Sequence, residues 1–188
     1  MDVAFEACMG APTSSGRIEV MMFATRFGSV ILGYVAAREA LRVTHQALKD
    51  ARLPTGTILD DVTRELIDLD EWRAESESYR SEEVGLAYDA LTLNGATAVL
   101  AASAALELLV TELATLPGRP SFRAKVASLT SASEATSLVT EVVRRRNHLA
   151  HSLDGSYWGD RIELSDQDVA ACLADIGGIA DRIDDELV

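Results

Sequence analysis

Phe23, Phe27, Val30, Ile31, Tyr34, Val35, Leu41 and Leu48 fall at steps of three and four residues. That spacing lines one face of an α-helix. The same period returns in several later segments, and no other feature limits the fold so strongly. Little in the composition opposes it. Alanine and leucine, two of the best helix formers, dominate, and only four prolines interrupt 188 residues. The chain reads as all-α.

The pattern predicts a first helix over about residues 19–51, with Gly28 and Gly33 either weakening it or allowing close packing. A second is expected over about 59–78, with Leu59, Val62, Leu66, Leu69 and Trp72 as its apolar stripe. Ser81 offers an N-cap for a third over about 82–116, bent near Gly95 and stopped by the Pro and Gly of residues 117–120. A short helix follows over about 122–129 and another over about 134–150. Residues 161–164 read as a brief extended piece. Ser165 and Asp168 then make a capping-box pattern at the start of a last helix that reaches about Glu186. The expectation is a flexible leader over residues 1–16 and a single helical domain over 17–188, a bundle of four to five main helices.

The formal charge of −13 argues against wide, non-specific DNA binding, yet leaves room for a small basic cleft. Cys8 and Cys172 stand near opposite ends, without Cys or His neighbours at metal spacing. There is no Gly-rich phosphate loop, no Glu-x-x-His pair and no Gly-x-Ser-x-Gly elbow. Neither a metal nor a cofactor is expected. The acidic groups at 68–71 and 181–186 read as solvated helix faces, and His45 as an ordinary surface or packing residue. The first residues lack the positive n-region of a signal peptide. The most apolar run, Ala96–Val110, is interrupted by Ser103 and Glu107 and falls short of the roughly 20 residues of a membrane span. It reads as a buried core helix, and the chain as cytoplasmic, without a membrane partner.

One stretch runs against the acidity. Arg144, Arg145 and Arg146 stand in a row, and His148 and His151, two of only three histidines, follow at once. Cations near a helix C-terminus are favoured by the helix dipole, so a charged helix end is one reading. RNA chemistry is the other. A ribose 2′-hydroxyl attacks the adjacent phosphate once a base takes its proton, and an imidazole suits that task near neutral pH. A guanidinium fork matches the oxygens on which charge then gathers. Such a site needs the 2′-hydroxyl, so it would cleave RNA and not DNA.

The stretch "RNHLAH", Arg146 to His151, resembles the signature of the HEPN superfamily (higher eukaryotes and prokaryotes nucleotide-binding), an Arg followed by a polar residue and a His a few positions on. "AALELL", residues 104–109, is similar to another HEPN pattern, an acidic residue inside an apolar helix. The resemblance implies an all-α HEPN-like bundle and a metal-independent endoribonuclease that leaves a 2′,3′-cyclic phosphate. Many relatives are toxins of toxin–antitoxin pairs or defence effectors, acting as homodimers with facing Arg–His motifs. Carried over by residue, Arg146 would stabilise phosphate charge, His151 would act as base or acid, and Asn147 would orient groups nearby. Arg144 and Arg145 would hold or steer RNA. An antitoxin or a nucleotidyltransferase is the kind of partner implied. Ser152 stands where members often carry Gly, with Gly155 later. Other members lack activity and only bind RNA, nucleotides or proteins.

Which arginine works with His151 stays open. On an ideal helix Arg144 lies within about 20° of His151 and Arg146 about 140° away. The Arg–Asn step favours Arg146, if the helix ends near His151. Glu107 either pairs with a motif arginine or faces solvent. Tyr157 and Trp158 either stack on a base or cover the bundle end. One Arg–His pair supplies a single base, so protonating the leaving 5′-oxygen calls for a second His151 across a two-fold axis.

Overall fold

The computed structural model describes residues 13–52, 56–59, 63–131, 133–153 and 164–188. Among these the chain is predominantly helical, in the order α1 (Ile18–Asp50), β1 (Thr57–Leu59), β2 (Leu66–Asp68), α2 (Leu69–Leu113), α3 (Phe122–Leu129), α4 (Ser133–Leu153) and α5 (Asp166–Glu186). The all-α class expected from the periodicity is what the chain adopts.

Two expectations need correction. The described residues between Leu59 and Asp68, namely 59 and 63–68, are not helical. β1 and β2 pair antiparallel there, with Thr57 opposite Asp68 and Leu59 opposite Leu66. Gly56 (φ 95°) and Arg64 (φ 61°) take left-handed backbone beside the strands, a conformation that a helix does not use. Nor does the polar run at 75–83 divide two helices. α2 passes through it and through Gly95 without a break. Polarity alone does not stop a helix. Glu, Ser and Arg keep their backbone N–H groups, and Arg73 and Glu77 pair one turn apart at 3.4 Å.

The described residues fall into two compact units. One holds the chain up to Val35 and from Asn94 onward, the other Ala36–Leu93. The first contains the core. Val20, Phe23, Phe27, Ile31 and Tyr34 come from α1. From α2 come Val99, Ala102, Leu106, Leu109 and Val110 at helical steps. Val126 of α3, Val139, Val142 and Leu149 of α4, and Val169, Ile176, Ile179 and Ile183 of α5 complete it. Phe23 and Phe27 stack with ring centroids 5.2 Å apart. The run Ala96–Val110 is thus core helix, with Ser103 buried and its hydroxyl donated to the Val99 carbonyl at 2.8 Å. Gly95 serves a close approach. A Cβ there would meet Val169 Cγ2 at 2.8 Å. By length and composition, windows within α1 and within Ser76–Leu113 are apolar enough to cross a membrane, and 33% and 56% of them are buried inside the fold.

Polar ties lock the ends of the first unit. Tyr34 donates its hydroxyl to Asp166 Oδ1 at 2.8 Å, and Asn94 Nδ2 donates to the Tyr34 carbonyl at 3.1 Å. The capping box forms as the sequence predicts. Asp168 N donates to Ser165 Oγ at 3.2 Å, and Ser165 N to Asp168 Oδ2 at 3.0 Å. Ser121 caps α3 through Ala124 N. Ser14 and Ser15, the end of the expected leader, both hydrogen-bond to buried Asp184. Burial works to raise the Asp184 carboxyl, but the bonds from Ser15 and Ser14 outweigh it and hold it below its usual range.

In the second unit none of the described residues is buried. His45 of α1 and Tyr88 of α2 stand 6.0 Å apart there, and Arg80 donates to the Ala51 carbonyl just past α1.

Candidate functional site

The apolar row of α4 is Ala135, Val139, Val142 and Leu149. Arg146 lies on that row, between Val142 and Leu149, where another apolar residue would fit. A charge in this position needs a partner, and α2 provides it. Arg146 forms an ion pair with Glu107, and both side chains are only partly exposed, at 31% and 39%. Arg146 also donates from Nε and Nη2 to Asn147 Oδ1 at 3.3 and 3.1 Å. Of the two readings of Glu107, the structure takes the ion pair.

The opposite side of α4 faces solvent. Arg144, Asn147, His148 and His151 occupy neighbouring positions there over two turns. The helix does not end at His151; it continues to Leu153. Regular helical geometry therefore keeps Arg146 about 140° from His151 around the axis and Arg144 about 20° from it. The structure brings together Arg144, Asn147, His148 and His151 on one face, and it sets Arg146 on another. Ser152 lies inside the helix. Tyr157, Trp158 and Gly155, like most of the extended piece expected at 161–164, lie outside the described residues.

Glu141 organises the arginines at the edge of this face. It accepts from Arg144 Nε at 2.9 Å and Nη2 at 2.6 Å, and from Arg145 Nε at 2.7 Å. The Arg144 hydrogen bond, with help from Arg145, lowers the Glu141 carboxyl to about 2. Arg145 reaches over to α5, where Nη1 meets Asp175 Oδ2 at 3.0 Å and Cys172 Sγ at 3.3 Å. Burial pushes the Cys172 thiol up, although Arg145 pulls it down. Arg144, Arg145 and His148 of α4, with Asp168 and Cys172 of α5, line a cavity of about 280 Å³. Leu149, Leu164 and Ala171 add apolar wall. Among the described residues no group of three or more His, Cys, Asp or Glu is placed to hold a metal ion.

The motif pattern gives no site role to Glu141, Asp175 or Cys172, and it prefers His151 to His148. Glu141 is nonetheless legible, since it stands three and four residues before Arg144 and Arg145, the spacing of helical ion pairs. Asp175 and Cys172 are not, because only the packing of α5 on α4 brings them to Arg145. Comparison of the chain with protein-family models, curated proteins and solved structures finds no match.

Proposed function

We propose that the chain is a metal-independent endoribonuclease of HEPN type, acting in the cytoplasm as a toxin or defence effector. The observation that carries this reading is the solvent face of α4, where Arg144, Asn147, His148 and His151 lie side by side over two turns. His151 takes the proton of the ribose 2′-hydroxyl. A guanidinium on the same face receives the charge that gathers on the phosphate oxygens, and Asn147 holds the RNA by hydrogen bonds. The products are a 2′,3′-cyclic phosphate and a free 5′-hydroxyl. The leaving oxygen takes its proton from His151 of a second copy across a two-fold axis. The family resemblance assigns the charge-stabilising role to Arg146. The α4 geometry supports Arg144 for it, with Arg146 anchored to Glu107 and fixing the rotation of the helix.

The test is cleavage of single-stranded RNA in EDTA. His151→Ala is expected to abolish it, by about 10²–10⁴-fold as for loss of a general base. Arg144→Ala is expected to lower turnover with an unchanged melting temperature, and Arg146→Ala to lower the melting temperature as well. Cleavage that persists in the His151→Ala variant removes the proposal.

A second reading has its own observation: Arg144, Arg145 and Arg146 are each already paired with a carboxylate. A catalytically silent module that binds RNA, a nucleotide or a partner protein such as an antitoxin or nucleotidyltransferase fits such a resting state. Binding of RNA without turnover, insensitive to His151→Ala, selects it.

A further inference from the structure

The cavity between α4 and α5 is lined by two arginines and, against them, the single carboxylate of Asp168, and both arginines are already paired. Arg144 grips Glu141 through Nε and Nη2, each on a different carboxylate oxygen, at 2.9 and 2.6 Å. This two-pronged grip is also how a guanidinium holds two oxygens of a phosphate. The same carboxylate accepts from Arg145, whose other side meets Asp175. With its carboxyl lowered to about 2, Glu141 stays charged throughout the physiological range. Two features make its hold reversible. The Glu141 and Arg144 side chains are 34% and 67% exposed, and both pairings of Glu141 run within one helix turn, where ion pairs are weak. His148 lines the same cavity.

We infer that Arg144 and Arg145, which line this cavity, form a phosphate seat for which Glu141 is the competitor: from outside the lining its carboxylate holds both guanidiniums until an incoming phosphate group displaces it. The phosphate belongs to an RNA diester or to a free phosphate ester. The inference rests on the proposed RNA reading for the source of the phosphate, and on the geometry alone for the seat. Arg146 takes no part, because it is held by Glu107 on another face of α4. Glu141 acts as a built-in threshold: ligands that present one phosphate compete poorly, and a strand that presents several in register competes well.

The experiment is Glu141→Gln in the full chain, with melting temperature as the fold control. The first probe is a short single-stranded RNA carrying 2′-O-methyl groups, which binds without being cut. Freeing one or two arginines steepens the dependence of log affinity on log salt by about 0.7 for each additional phosphate neutralised. Tighter binding at low salt accompanies it, and adding Arg144→Ala and Arg145→Ala reverses both. The second probe is inorganic phosphate, followed by the NMR signals of the Arg144 and Arg145 Nε–H groups. They are expected to move at lower phosphate concentration in Glu141→Gln than in the parent. Phosphate response without RNA binding in either protein keeps the seat and removes the RNA reading. RNA affinity, salt slope and phosphate response all unchanged or weakened in a well-folded Glu141→Gln overturn the inference. Should that variant melt early, Arg144→Ala decides with inorganic phosphate: weaker binding supports the seat, and unchanged binding sinks it.

Discussion

α1 and α2 each run through both compact units, so one helix can be compared with itself. In α2, residues 96–113 bury Val99, Ala102, Leu106, Leu109 and Val110, while Tyr79 and Leu86, earlier in the same helix, are each 69% exposed. In α1, Phe23, Phe27 and Ile31 are buried and Val43 is 56% exposed. The exposed apolar residues are of ordinary core types, although residues 70–89 of α2 also carry nine charged side chains against two in 96–113. What also differs is whether the helix's own unit supplies a core to bury against. Amphipathic spacing therefore states what a helix can bury, and the rest of the chain states what it does bury. The proposed site sits in the first unit, where a packed core fixes the rotation of α4 and so turns the face shared by Arg144 and His151 to solvent.

The sharpest way to break this comparison is a pair of truncations. Leu106→Ala, at a fully buried position, is expected to cost about 2–5 kcal/mol in urea unfolding. Leu86→Ala, on the same helix, is expected to stay within about 0.5 kcal/mol. Equal losses at both positions would mean that the second unit carries a core of its own. Next comes Gly95→Ala. Placing a Cβ 2.8 Å from Val169 Cγ2 overpacks a stiff, branched neighbour at about 1–3 kcal/mol. The helix-propensity gain of about 0.5–1 kcal/mol offsets only part of this. A double-mutant cycle with Val169→Ala should recover stability, which a bend at Gly95 would not predict. Ser165→Ala removes one half of the capping box and is expected to cost about 1 kcal/mol by chemical denaturation.

The smallest effect concerns acid. The Glu141 carboxyl is lowered in the fold from 4.5 to about 2. Its contribution is therefore fully present above pH 4.5 and is lost as pH falls from there toward 2. Glu141→Gln should flatten the stability profile in that window and lose, at neutral pH, the small amount that these exposed pairs contribute. A profile of unchanged slope would show that its pairs with Arg144 and Arg145 are not held in solution.

Much of this is legible in the chain, for local reasons. α1, α3 and α5 follow directly from apolar steps of three and four, from Ser121 and Ser165 as caps and from the stop at residues 117–120. The hairpin is not, because Leu59 and Leu66 fit a helical stripe as well as two strands, and the turn geometry at Gly56 and Arg64 carries no periodic signal. At the site, the charges of α4 and their spacing to Glu141 lie in the chain order. The choice between Arg144 and Arg146 hangs on the helix running on to Leu153.

The sequence by itself determined the helical class, the caps, and the placing of three arginines and two histidines on one helix, because these depend on neighbours within a few residues. Only the tertiary structure decided that Arg146 turns to Glu107, that Arg145 crosses to Asp175 and Cys172, and that Arg144 and His151 are left facing solvent. Those outcomes depend on which surfaces α2 and α5 present to α4, and on the cost of burying a charge without a partner.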